Sequence, residues 1–115
     1  MTAATLGARG EKLAADFLRR KGIEVLEKHH RTRLGEIDLI CRDRDTIVFV
    51  EVKARSCAAI AQPFESVGAH KRDKLRRLAE QYLEYKRLGP VDARFDVVSV
   101  VLEPKPAIEH IIGAF

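Results

Sequence analysis

Cysteine is scarce in this chain. Only Cys41 and Cys57 occur, and no C-x-x-C pair exists. That argues against a disulfide-stapled scaffold and predicts reduced thiols in a cytoplasmic protein. A zinc site lacks support too, because no Cys/His cluster has ligand spacing, and the neighbours His29 and His30 should point apart on a strand. No apolar run approaches the roughly 20 residues of a membrane span. The segment MTAATLGARGEK lacks the apolar stretch of a signal peptide, so no membrane association is expected. Repeats, low-complexity tracts, a P-loop, a dinucleotide fingerprint and a Ser-His-Asp arrangement are also missing.

What remains is an ordinary globular composition. The chain is 46% hydrophobic and 33% charged, which excludes a disordered polymer. Its 115 residues suit one domain with one modest core, spanning 1–115. A formal net charge of +4 favours polyanionic partners without requiring them.

Apolar periodicity divides the chain. Leu6, Leu13, Ala14, Phe17 and Leu18 recur at helical spacing, which predicts a helix over 2–21 with Gly22 as its stop. Gly7 and Gly10 weaken its first turns. Short strands are expected at 23–30 and over GEIDLICR from Gly35. The polar stretch Asp43–Asp45 reads as a turn, followed by a β-branched strand at Thr46–Ala54. A loop over 56–66 contains Pro63 and could cover a site. Leu75, Leu78, Ala79, Tyr82 and Leu83 mark a second helix over 67–88, ended by Gly89 and Pro90. On it Gln81 and Tyr85 form a Q-x-x-x-Y spacing that resembles a short motif of RecB-like nucleases, while Tyr82 and Tyr85 also read as packed or partly exposed aromatics. Arg94–Leu102 is a continuous apolar strand expected at the sheet centre, and Ala107–Ile112 is a last strand. The order α-β-β-β-α-β-β, with a helix between the third and fourth strands, implies a parallel crossover onto a mixed sheet. The fold class is an α/β sandwich.

Asp38 and Glu51 are the informative residues. Both lie in strands that otherwise read as buried, where an unpaired carboxylate is costly. Alternation puts Glu51 and Lys53 on one face. A turn centred between Arg44 and Asp45 pairs Asp43 with Thr46 and, carried along the strands, Asp38 with Glu51, their Cβ atoms roughly 5 Å apart. A turn centred on Arg44 itself would send Glu51 to the other face. Two adjacent carboxylates with a backbone carbonyl suit Mg2+ or Mn2+. Lys53 could then position a water or stabilise charge on a phosphate. The bland alternative is an exposed sheet face with a Lys–Glu ion pair.

GEIDLI at 35–40 followed by FVEVKAR at 49–55 resembles the D…(D/E)XK signature of restriction-endonuclease-like nucleases. More narrowly, the chain resembles the small bacterial YraN-like family of predicted endonucleases. That resemblance takes in Gly7, Gly10, Glu11 and Ala14, the Lys71–Leu83 helix, RFDVV at 94–98 and the closing Ala114–Phe115. The wider fold resembles archaeal Holliday-junction resolvases, whose site is completed by an acidic residue on the first helix; Glu11 holds that position. Locally, Glu11 also reads as a solvated helix glutamate. Two departures stand out: Ile37 replaces the proline of the superfamily's name, and His29 stands where the family often has Asn, with Arg31 retained.

The resemblance implies a divalent-metal-dependent endonuclease with a restriction-endonuclease-like α-β-β-β-α-β core. Its substrate would be nucleic acid, DNA more than RNA, in structured or branched form. Asp38 and Glu51 would bind the metal, with Glu11 and Lys53 completing the catalytic set. Arg31, Arg33 and Arg55 bracket the two site strands and are the first candidates for phosphate contact. Lys71, Arg72 and Lys74 could add contacts, although such a run is usually a solvated helix face. Junction cleavage would suit a homodimer, but no dimer seam is legible. The rival functions are a catalytically inactive nucleic-acid-binding module and a protein-interaction module with the same fold. Asp96 and Arg94 share a strand face and read as a structural pair, with His70 and His110 isolated.

Overall fold

The computed structural model describes residues 2–57 and 67–115. Its elements are α1 (Ala3–Arg20), β1 (Glu24–Thr32), β2 (Gly35–Asp43), β3 (Thr46–Cys57), α2 (Ala69–Tyr85), β4 (Asp92–Glu103) and β5 (Ala107–Ile111). The strands form one sheet in the order β1-β2-β3-β4-β5. Among the described strands only β3 and β4 run parallel, joined through α2, as a crossover connection requires. The strand expected at the centre, β4, is interior but lies one place off the middle, which β3 occupies. β3 also runs on through Cys57, into the stretch expected to be a loop; residues 58–66 of that stretch lie outside the described residues.

Both faces of the sheet are covered. On one face Ala14, Ala15 and Leu18 of α1 pack on Leu39, Cys41, Val48, Val50, Val98 and Val100. On the other, Leu75, Leu78, Ala79 and Tyr82 of α2 pack on Ile37, Ile40, Ile47, Phe49 and Val97. Burying each large aliphatic side chain contributes about 1.5–3 kcal/mol, so these two layers supply the main driving force for folding. Among the described residues no helix is long and apolar enough to cross a membrane.

The caps follow local chemistry. Thr2 accepts the Thr5 N–H at the start of α1 (3.1 Å). At its end, Ile23 N–H donates to Leu18 (3.0 Å) and Gly22 N–H to Arg19 (2.9 Å), with Gly22 at φ 85°. α2 closes in the same way, but Arg87 (φ 53°) takes the left-handed position rather than the expected Gly89. Gly10 does not fray α1. It lets the helix cross β3 closely, since a Cβ there would stand 2.5 Å from the Ala54 Cβ.

Candidate functional site

β2 and β3 pair from Asp43↔Thr46 to Leu39↔Val50, the register that the turn between Arg44 and Asp45 predicts. The ladder then ends, although β2 begins at Gly35 and β3 continues to Cys57. Beyond Leu39 the first strand stays with β1 and the second with β4. The two strands fork, and Asp38 sits in the fork. Its Oδ2 accepts the Val52 N–H (2.8 Å), occupying a donor that the neighbouring strand has released.

Two more irregularities fall in the same row. Ile37 and Leu39 are two apart and should share a face, yet they pack on opposite sides of the sheet. β2 therefore breaks its alternation at Asp38. Across the row in β1, His29 has φ 52°, flanked by the regular pairs Lys28↔Leu39 and His30↔Ile37. A left-handed non-glycine residue inside a strand costs about 1–3 kcal/mol and marks a place where geometry has been set for something other than the ladder. Asn and His both tolerate that conformation better than most residues, which gives a backbone reason for the Asn-to-His exchange. The two neighbouring histidines do point apart: His29 reaches Glu11 and Glu36, while the His30 ring meets Tyr82 edge-on.

The row is crowded with carboxylates. Burial, then the charges of Glu51 and Glu11, push the Asp38 carboxyl up to about 7, against the pull of the Val52 N–H. Glu11 is raised as well, by burial first and then by Glu36 and Glu51, with His29 opposing. Its Oε1 is buried and lies 3.2 Å from His29 Nε2, but makes no hydrogen bond among the described residues. Glu36 is better served: hydrogen bonding to His29 (2.8 Å) and the nearby Arg31 (3.3 Å) hold its carboxyl low. Glu51 is met by Lys71 of α2, whose Nζ donates to Oε1 at 2.9 Å.

The structure brings Glu11, Asp38 and Glu51 from α1, β2 and β3 into one mutually repelling group. Lys53 is two residues beyond Glu51 on a regular stretch of β3, opposite Ser99, and so projects to the same face. Lys71 was expected among phosphate contacts; here it is the counter-ion of Glu51, a role that helix–strand distance in the sequence could not disclose. Lys74 lies over Gly35, where a Cβ would meet its Cε at 2.7 Å. Arg72 is half-buried, and its Nε has no hydrogen-bond partner among the described residues. Arg33 is exposed, and Arg55 is half-buried on β3. Among the described residues no three His, Cys, Asp or Glu side chains form a ready metal cage. A divalent ion would accordingly rest on Asp38 and Glu51, its other positions filled by water or backbone, a ligand set that fits Mg2+ or Mn2+. Glu11 Oε1, without a hydrogen bond among the described residues, and Asp38, raised by burial and then by its carboxylate neighbours, mark a site that a cation would relieve.

A second polar cluster lies on the α1 face. Asp96 is fully buried and accepts from Arg94 Nε (3.0 Å) and Gly113 N–H (3.0 Å), with His110 Nε2 at 2.8 Å. Burial opposes its ionisation, but these three partners outweigh it and hold the carboxyl low. Arg94 also reaches Asp43 (3.0 Å), so the Arg–Asp pair is structural, as expected. His110 is not isolated: it bridges Asp96 and Lys21 (2.7 Å).

The element order, the mixed sheet and the strand fork define a restriction-endonuclease-like α/β core. Comparison with known proteins gives the particular family. Residues 10–100 match the model of the uncharacterised protein family UPF0102. The chain is 48% identical to a UPF0102 protein of Alkaliphilus oremlandii over 113 residues, covering 96% of this chain and 97% of that one. It is 47% identical to a UPF0102 protein of Nocardia farcinica, covering 96% and 88%. A UPF0102 protein of Caldanaerobacter subterraneus subsp. tengcongensis is 39% identical, covering 96% and 94%. The chain belongs to UPF0102, the YraN family.

Proposed function

We propose that this protein is a divalent-metal-dependent endonuclease that hydrolyses phosphodiester bonds in DNA. The observation that carries this reading is the fork: Asp38 is held at the Val52 N–H beside Glu51, at a point where the sheet opens. Asp38 and Glu51 would hold Mg2+ or Mn2+, which supplies a Lewis acid and an activated water at neutral pH. Lys53 projects to the same face and aligns the attacking water or neutralises charge that develops on the phosphate. Glu11, on the rim, serves as an outer or second-metal ligand. Arg31 and Arg33, at the exposed hairpin end, hold backbone phosphates and confer affinity without sequence choice.

The test incubates the protein with labelled linear, flapped and four-way DNA in Mn2+, beside an Asp38→Asn control. Cleavage by the wild type alone is expected. Lys53→Ala should lose cleavage while keeping Mn2+ binding, read by calorimetry; retained cleavage in that variant contradicts the role of Lys53. One observation favours a second reading. Lys71 already neutralises Glu51, as suits a binding module without turnover. That module predicts no cleavage and equal or tighter DNA binding by Asp38→Asn.

A further inference from the structure

The nuclease reading leaves one side of α2 unused. Lys71, Lys74, Leu78, Gln81 and Tyr85 fall within one stripe of the helix at its 3.6-residue period. The stripe borders the end of the β1–β2 hairpin. It starts at Glu51, where Lys71 is paired, and passes Gly35, over which Lys74 and Leu78 pack. Two clefts open along this border. The first, about 370 Å3, lies between Glu36 and Lys71 and Lys74 and adjoins the acidic row. The second, about 290 Å3, lies between His30 and Thr32 of β1 and Gln81, Tyr82 and Tyr85 of α2.

The second cleft has aromatic walls and a polar rim. Tyr82 is buried beneath the His30 ring, at 5.2 Å and 87°, and forms the floor. Tyr85 is 77% exposed and lines the cleft. Gln81 stands at the rim with amide donors and an acceptor. The Lys86 ammonium lies 5.8 Å from both tyrosine rings and is paired with Glu27 at 3.7 Å. A flat ring with hydrogen-bonding edges matches these walls and this rim. Lys71 is held by Glu51, so Lys74 is the cation at the approach to the cleft, and it favours a polyanion over an apolar peptide.

We propose that this cleft is a base-stacking subsite that takes one unpaired nucleobase of the strand whose phosphate lies at the acidic row. A duplex keeps its bases stacked on one another and cannot present one here, so the substrate carries a single-stranded arm. The separation along α2 from Lys71 to Tyr85 is about 21 Å, roughly six nucleotides at a stacked rise of ~3.4 Å and fewer if extended. The inference rests on the nuclease reading and narrows its substrate.

The test measures binding of labelled oligothymidylate and of a blunt duplex by anisotropy, without divalent metal, over a series of salt concentrations. Tyr85→Ala should weaken single-strand binding by roughly 5- to 100-fold, the range of one lost base stack. It should leave duplex binding and the salt slope unchanged, because no phosphate contact is removed. Tyr85→Phe should keep wild-type affinity, and Lys74→Ala should weaken both ligands and flatten the salt slope by about 0.7–0.9. The exposed positions of Tyr85 and Lys74 keep these variants folded. Unchanged single-strand binding by Tyr85→Ala overturns the subsite and leaves the nuclease reading standing; a cleft serving a protein partner gives that result. Equal loss on single strand and duplex also overturns it. If the wild type binds neither DNA and, in Mn2+, cleaves neither, the nuclease reading and the subsite fall together.

Discussion

Asp38 is the residue on which local structure and proposed chemistry meet. It gains one backbone hydrogen bond from the fork and loses solvation, beside two other carboxyls. Its carboxyl is raised from 3.8 to about 7, so the folded state binds its proton more tightly than the unfolded chain does. The stabilisation from that proton is complete below about pH 4 and is lost as pH rises towards 7. Asp38→Asn keeps an acceptor for Val52 and has no proton to lose. Urea denaturation should find this variant more stable than the wild type at pH 8, by about 1–3 kcal/mol after allowing for partial solvent screening. The difference should vanish near pH 4. A constant difference across that range would show that Asp38 is not strained by its neighbours. Lys71 offers the complementary check. Removing its ammonium in Lys71→Met frees Glu51, so Mn2+ should bind about two- to fivefold more tightly by calorimetry, the effect of one half-exposed ion pair. Weaker binding would make Lys71 a support of the site instead of a competitor for it.

At the scale of elements, α1 reaches the site because Gly10 lets it touch β3. Helix propensity alone favours Gly10→Ala by about 1 kcal/mol. The contact with Ala54 Cβ argues the opposite, since the helix or the strand must give way. Gly10→Ala should lower stability by about 1–2 kcal/mol and displace Glu11. Pairing it with Ala54→Gly should recover the steric part, seen as a favourable coupling in a double-mutant cycle. A stabilising Gly10→Ala would refute the close crossing. In the sequence Gly10 reads only as a weakness in a first turn, because the element it meets is more than forty residues away (Gly10 to Ala54). Element types and order were legible, since the apolar periods of 3.6 and 2 belong to local chain geometry. The boundaries that moved, at the end of β3 and the ends of α2, are those where hydrogen bonds to distant strands or a left-handed Arg87 decide the stop.

At the scale of the whole molecule, two polar networks pull in opposite directions. The acidic row is one that a cation would relieve, whereas the buried Asp96 is fully satisfied by β4, β5 and the closing residues. Asp96→Ala should cost about 3–5 kcal/mol, because it leaves Arg94 and His110 with broken partners in the interior. A fall in Tm without loss of Mn2+ affinity would separate this network from the site. Loss of metal binding at matched folding would join them.

The expected Asp38–Glu51 rung lies beyond the last β2–β3 pair and does not form. The sequence by itself determined the α-β-β-β-α-β-β order, the β2–β3 register down to Leu39↔Val50 and the side on which Lys53 falls. All three follow from short-range geometry: helix and strand periods and a two-residue turn. The tertiary structure alone decided where β2 and β3 part, why His29 is left-handed, that Lys71 meets Glu51, and that exposed Tyr85 lines one cleft with buried Tyr82. Those depend on which segments pack across the sheet. Such contacts join residues far apart in the chain, and no local period records them.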